Sequence, residues 1–272
     1  MLAPVDPDEE KVLDGGNFSK VVRSGETVRR SAGPWTGAVH ELLHHLESVG
    51  MEGVPRALGF DSQGREVLSY LVGDVPVREP WPQHVWSLST IADVGKWLAS
   101  YHRAVSGYQP DSASHWWLGE GAPGPGEVVC HNDFAPYNAV FTSGRLTGVI
   151  DWDVAGPGSP TWDLAFCMWQ WIPLHHPQLT ESLGGPDETA QANRVRLLCD
   201  GYGYTDAADV LRLVALRVDA SRSGLLTKAS AGDPMSQRLI DDGHVSEMER
   251  TLQYLAGRIP VLQTEIKTHD QG

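Results

Sequence analysis

Three residues carry the chemistry most readily read from this chain: Asp133, Asn138 and Asp151. The apolar step Val129-Cys130 runs into His131-Asn132-Asp133, Asn138 follows Asp133 by five residues, and the run Val149-Ile150 delivers Asp151. This is the order that phosphoryl transfer needs. One carboxylate orients an attacking hydroxyl and takes its proton, and then an amide oxygen and a second carboxylate hold a divalent cation against nucleotide phosphates. Oxygen ligands of this kind suit a hard ion such as Mg²⁺. Asp153, two residues on, has two readings: it reaches the ion through water, or it caps the turn that follows.

These groups must be brought together by the segments between them. Ala139-Val140-Phe141 reads as a strand, Ser143-Gly144-Arg145 as a turn, and Leu146 to Ile150 as the returning strand. Such a hairpin places Asn138, before it, beside Asp151, after it.

The H-x-D-x-x-x-x-N of His131 to Asn138 and the Ile150-Asp151-Trp152 step together resemble the aminoglycoside phosphotransferase family, also called the phosphotransferase enzyme family. The resemblance implies an α+β, bilobal, protein-kinase-like fold, with a small antiparallel-sheet lobe over residues 1–72 for the nucleotide. A larger, mainly helical lobe over 73–272 would carry catalysis and the acceptor. It implies Mg²⁺, with ATP or GTP as co-substrate, and a hydroxyl of a small molecule, antibiotics included, as acceptor. On this resemblance Asp133 is the catalytic carboxylate, Asn138 and Asp151 are the metal ligands, and His131 and Asp163 brace the loop. Ser159-Pro160 is a good helix start ahead of Asp163, with a capping hydroxyl and a proline at the first helical position.

Near the N-terminus, Val12-Leu13, Asp14-Gly15-Gly16-Asn17, Phe18 to Val22, Ser24-Gly25 and Thr27 to Arg30 read as strand, turn, strand, turn, strand. Backbone N–H groups at such a glycine turn can lie over phosphates, and the resemblance to the family, whose first strand often ends in a similar turn, implies that Gly15, Gly16 and Asn17 meet the nucleotide. In a kinase-like fold of the kind the resemblance implies, the apolar strand from Glu66 to Gly73 would offer its backbone at Ser69, Tyr70 and Leu71 to an adenine edge. One departure from the family pattern stands out. The third strand offers Arg29 and Arg30 where kinase-like enzymes place a lysine. A helix from Thr36 buries Val39, Leu42, Leu43 and Leu46 at i, i+3, i+4, i+7 spacing, which turns Glu41 outward and leaves His40 and Glu47 at the flanks. The usual Lys–Glu pair is therefore replaced or absent, and Arg30 is assigned to phosphate as a guanidinium donor.

Farther along, Ile91, Val94, Leu98, Tyr101 and Val105 mark one amphipathic helix, and helical patterns follow over 188–200, 206–219 and 234–258, the second capped by Thr205. His175-His176, between Pro173 and Pro177, reads as a loop. With 21 basic against 35 acidic residues the net charge is −14, which argues against nucleic acid as partner. No apolar run approaches the roughly 20 residues that a membrane span needs. Cys130, Cys167 and Cys199 are odd in number and set in apolar surroundings, as expected of reduced, buried thiols in a cytoplasm. Two function classes remain. The first is a small-molecule kinase. The second is a non-catalytic, kinase-fold binding or immunity protein of the trifolitoxin-immunity type, which sequesters its ligand.

Overall fold

The computed structural model describes residues 10–13, 21–111 and 113–269. Gly15, Gly16 and Asn17 lie outside them. Two compact units emerge: residues 1–78 with 101–133 and 137–159, and residues 79–100 with 134–136 and 160–272.

In the first unit, β1 (Lys11–Val12), β2 (Val22–Ser24), β3 (Thr27–Arg30), β4 (Ala57–Phe60) and β5 (Glu66–Ser69) form one antiparallel sheet in the order β1-β2-β3-β5-β4. The β3–β5 register puts Arg30 directly opposite Glu66. Helix α1 (Thr36–Ser48) follows the expected register: Val39, Leu42, Leu43 and Leu46 are buried and Glu41 is exposed, but His40 is buried as well.

Two short strand pairs follow, β6 (His115–Trp116) with β7 (Gly119–Glu120), and β8 (Val128–Cys130) with β11 (Gly156–Gly158). The hairpin of β9 (Ala139–Thr142) and β10 (Arg145–Val149) stands between the two motifs, as its pattern predicts. Ser143 and Gly144 both have positive φ (51° and 73°), the left-handed pair that a two-residue hairpin turn needs. Backbone bonds tie this hairpin to the N-terminal segments: Asp74 and Phe141 exchange N–H···O bonds of 2.8 Å, and Val149 donates to the Gly53 carbonyl at 2.8 Å. Gly53 has φ +77°, and a Cβ there would meet the Thr147 carbonyl oxygen at 2.7 Å, so only glycine lets the two backbones approach.

The second unit is helical. It holds most of α2 (Leu88–Val105), with α3 (Pro160–Trp171), α4 (Pro177–Ser182), α5 (Gln191–Tyr202), α6 (Ala207–Ser230), α7 (Pro234–Asp241) and α8 (His244–His269). Helix α3 is buried from Asp163 to Trp171, so Trp169 and Trp171 belong to the core. The structure departs from the sequence reading at three places here. Asp206, not Thr205, caps α6, its carboxylate accepting from Asp209 N at 2.9 Å. The expected helix over 234–258 is two helices, α7 and α8, parted at Gly243, whose φ of +91° suits a helix stop. His176 is a cap rather than plain loop: it accepts from Leu179 N and, with Pro177 at the first helical position, starts α4.

Candidate active site

The His-x-Asp loop is built on a buried ring. His131 is fully buried; its Nδ1 accepts the Asp133 N–H at 3.2 Å, which leaves Nε2–H to donate to the Ile150 carbonyl at 3.2 Å. The imidazole thus joins the backbone ahead of Asp133 to the backbone ahead of Asp151. Trp152 lies beneath, its ring 4.5 Å from His131 and 5.1 Å from Tyr101, and the Tyr101 hydroxyl donates to Val129 O at 2.7 Å. Asn132 (φ 65°) and Asp151 (φ 61°) both adopt left-handed backbone, and such strain in non-glycine residues persists where packing over-determines it.

Both oxygens of the Asp133 carboxylate are engaged. The Tyr137 hydroxyl donates to Oδ1 at 2.8 Å and Asn138 Nδ2 donates to Oδ2 at 2.8 Å. Because the Asn138 amide nitrogen faces Asp133, its amide oxygen turns elsewhere. Ile150 N donates to the Asn138 carbonyl at 2.9 Å, so backbone bonding holds the Asn138 and Asp151 segments together. Asp163 is fully buried in the first turn of α3, in the other unit.

Arg30 meets three carboxylates. Its Nε donates to Glu66 Oε1 at 2.6 Å, Nη1 to Asp151 Oδ1 at 2.9 Å, and Nη2 to Asp153 Oδ1 at 2.6 Å. His40 Nε2 meets the other Glu66 oxygen at 3.3 Å. The helix acid of the usual pair is thus absent: His40 stands on α1, and the partner of the arginine comes from β5. A phosphate could use only the N–H hydrogens that remain on Nη1 and Nη2. Asp153 neither caps a turn alone nor stands free; it holds one arm of Arg30.

The cluster is nearly dry, with Arg30 and Glu66 side chains 8% and 1% exposed. Burial works against the Arg30 charge, but the carboxylates of Asp153, Asp151 and Glu66 more than reverse it and hold the guanidinium protonated. Burial likewise raises Glu66, and His40 with Arg30 brings it below the ordinary carboxylate range. At Asp153 burial prevails over Arg30, and its carboxyl is pushed up. One guanidinium facing three carboxylates leaves surplus negative charge.

The Asp151 carboxylate oxygen not bonded to Arg30 and the amide oxygen of Asn138 are oxygen groups of the type that could hold a hard divalent cation. At the expected adenine edge, Ser69 N donates to Arg56 O and Tyr70 N to Glu26 O, both at 2.9 Å, so two of the three N–H groups are spent within the sheet unit. Glu66, His40 and Tyr137 were missed in the sequence. Glu66 alone left a signal, a charged residue opening an apolar strand, and its meaning depends on the β3–β5 register.

Residues 109–190 match the sequence profile of the phosphotransferase enzyme family. A relative 36% identical over 202 residues, covering 73% of this chain and 76% of its own, is the trifolitoxin immunity protein of Rhizobium leguminosarum bv. trifolii. The chain belongs to the phosphotransferase enzyme family. Solved structures of similar fold include the amicoumacin kinase hAmiN in complex with AMP-PNP, Ca²⁺ and Ami. That match has 13% identity and a TM-score of 0.64, over 92% of this chain and 88% of that one. Another is the GDP complex of aminoglycoside 2′-phosphotransferase-IIIa, with 15% identity and a TM-score of 0.57 over 93% and 94%. This phosphotransferase-family chain therefore has the bilobal, protein-kinase-like α+β fold. Among its described residues, no helix is long and apolar enough to cross a membrane.

Proposed function

We propose that the protein transfers the γ-phosphoryl group of ATP or GTP to a hydroxyl of a small-molecule or peptide antibiotic. The observation that supports this reading is the continuous bonding of Asp133 to Asn138 and of Asn138 to the Ile150-Asp151 step, which ties the three segments together within one unit. Asp133, oriented by Tyr137 and Asn138, accepts the acceptor hydroxyl proton. The hydroxyl oxygen bonds to the γ-phosphorus, and the bond to the departing nucleoside diphosphate breaks. Asn138 and Asp151 would hold Mg²⁺, which when bound neutralises charge on the phosphates. The remaining Nη1 and Nη2 hydrogens of Arg30 face anions, and the nucleobase edge falls to Leu71. Kinase neighbours that bind amicoumacin and nucleotides, and an immunity protein as relative, support a toxic small molecule as acceptor.

Transfer of labelled γ-phosphate across an acceptor panel that includes trifolitoxin tests the reading. Asp133→Ala should bind nucleotide normally and transfer none, and wild-type turnover in that variant would remove Asp133 from the chemistry. A second reading, protection by sequestration, is favoured by one observation: the Asp151 carboxylate is already bonded to a buried arginine. Cells expressing Asp133→Ala separate the two. Protection retained in full would favour sequestration, and protection lost would favour transfer.

A further inference from the structure

In protein kinases two Mg²⁺ ions are held by an Asp and an Asn, the residue types of Asp151 and Asn138 under the reading above. Here a guanidinium already sits on that Asp. Arg30 Nη1 is 2.9 Å from Asp151 Oδ1, and the same group is clamped on its other sides by Glu66 and Asp153, each at 2.6 Å. Its position is set by the fold rather than by a mobile side chain. Arg30 and Glu66 are direct cross-strand partners, and the second Glu66 oxygen is held by His40 from α1. The planar fork of arginine suits three convergent carboxylates, whereas a lysine ammonium is a compact point charge.

We propose that Arg30 is a built-in cation that takes the place of one metal ion at Asp151, so that the site binds a single divalent ion with the nucleotide. The claim rests on the reading of Asn138 and Asp151 as ion ligands. Glu66 and Asp153 are the positioning residues that keep the guanidinium in place. A protein with this arrangement keeps its phosphate-neutralising charge partly covalent, and it needs less free metal to complete the site.

Mn²⁺ titration followed by electron paramagnetic resonance, in the presence of AMP-PNP, counts the ions without requiring turnover. The wild type should bind one Mn²⁺ per chain and Arg30→Met two, because loss of the guanidinium frees an Asp151 oxygen and leaves three carboxylates uncompensated. Two ions in the wild type, none in the wild type, or one in both proteins would overturn the proposal. Should Arg30→Met fail to fold, Arg30→Lys and the wild-type count still decide it: the compact ammonium cannot span three carboxylates, so the lysine variant should bind a second Mn²⁺ that the wild type does not. A lysine variant that binds one Mn²⁺ like the wild type would count against Arg30. Absence of phosphoryl transfer to any acceptor, with one Mn²⁺ bound, would sink the kinase reading and leave this inference standing.

Discussion

At the scale of single residues, Arg30 and Glu41 make an instructive pair. Both are charged groups in the N-terminal segments, yet one is locked among three carboxylates and the other points to solvent. Arg30→Ala leaves buried carboxylates without their cation and should lower stability by about 3–5 kcal/mol. Glu41→Ala should change it by no more than about 0.5 kcal/mol. Urea unfolding of the two variants measures both, and equal effects would mean that the Arg30 cluster does not persist in solution. Under the proposed phosphoryl transfer, Tyr137→Phe, which removes one of the two donors to the Asp133 carboxylate, should lower kcat with little change in nucleotide affinity. A fall in nucleotide affinity alone would place Tyr137 outside the reacting centre.

At the scale of elements, close backbone approach and helix capping set the tolerances. In the helical unit, a Cβ on Gly95 of α2 would lie 2.3 Å from the Leu198 carbonyl oxygen of α5, and one on Gly201 would lie 2.5 Å from the Ala92 carbonyl oxygen. Backbone cannot yield as a side-chain tip can, so Gly95→Ala should cost about 1–3 kcal/mol through overpacking. Gly224, within α6, has nothing within 4 Å, and Gly224→Ala should stabilise by about 0.5–1 kcal/mol because only helix propensity changes. Thermal melts of the pair should therefore move in opposite directions. At the start of α6, Asp206→Ala should cost about 1 kcal/mol and Thr205→Ala close to nothing, since the Asp206 carboxylate makes the cap. A larger loss from Thr205→Ala would refute that assignment.

At the scale of the whole molecule, the cysteines report on native packing in both units. Cys130 belongs to the first unit, Cys167 and Cys199 to the second, and all three are buried thiols outside any disulfide. Burial, reinforced by Asp200 and Asp206, pushes the Cys199 thiol up to about 12, so almost no thiolate exists near neutrality. The native protein should resist a thiol-reactive dye for hours, and the urea-unfolded chain should release colour for three thiols at once. Rapid labelling of one native thiol would show that its unit opens locally.

Periodicity and local chemistry were enough to read much of this protein from its residues. The β9–β10 hairpin, the register of α1 and the buried face of α2 follow from alternation, from turn residues and from i, i+3, i+4 spacing, which depend only on near neighbours in the chain. The order of Asp133, Asn138 and Asp151 follows likewise, because the loop and the hairpin between them are short. Tertiary structure alone decided what Arg30 meets. Its partners lie 36, 121 and 123 residues away, and a periodic pattern tells which side of a strand is buried without telling which charge waits there. The β3–β5 register brought Glu66 opposite Arg30, and the hairpin's backbone bonds to Gly53 and Asp74 join the motif segments to the N-terminal ones. Once these long-range contacts exclude water, a guanidinium and three carboxylates have no lower-energy choice than one another.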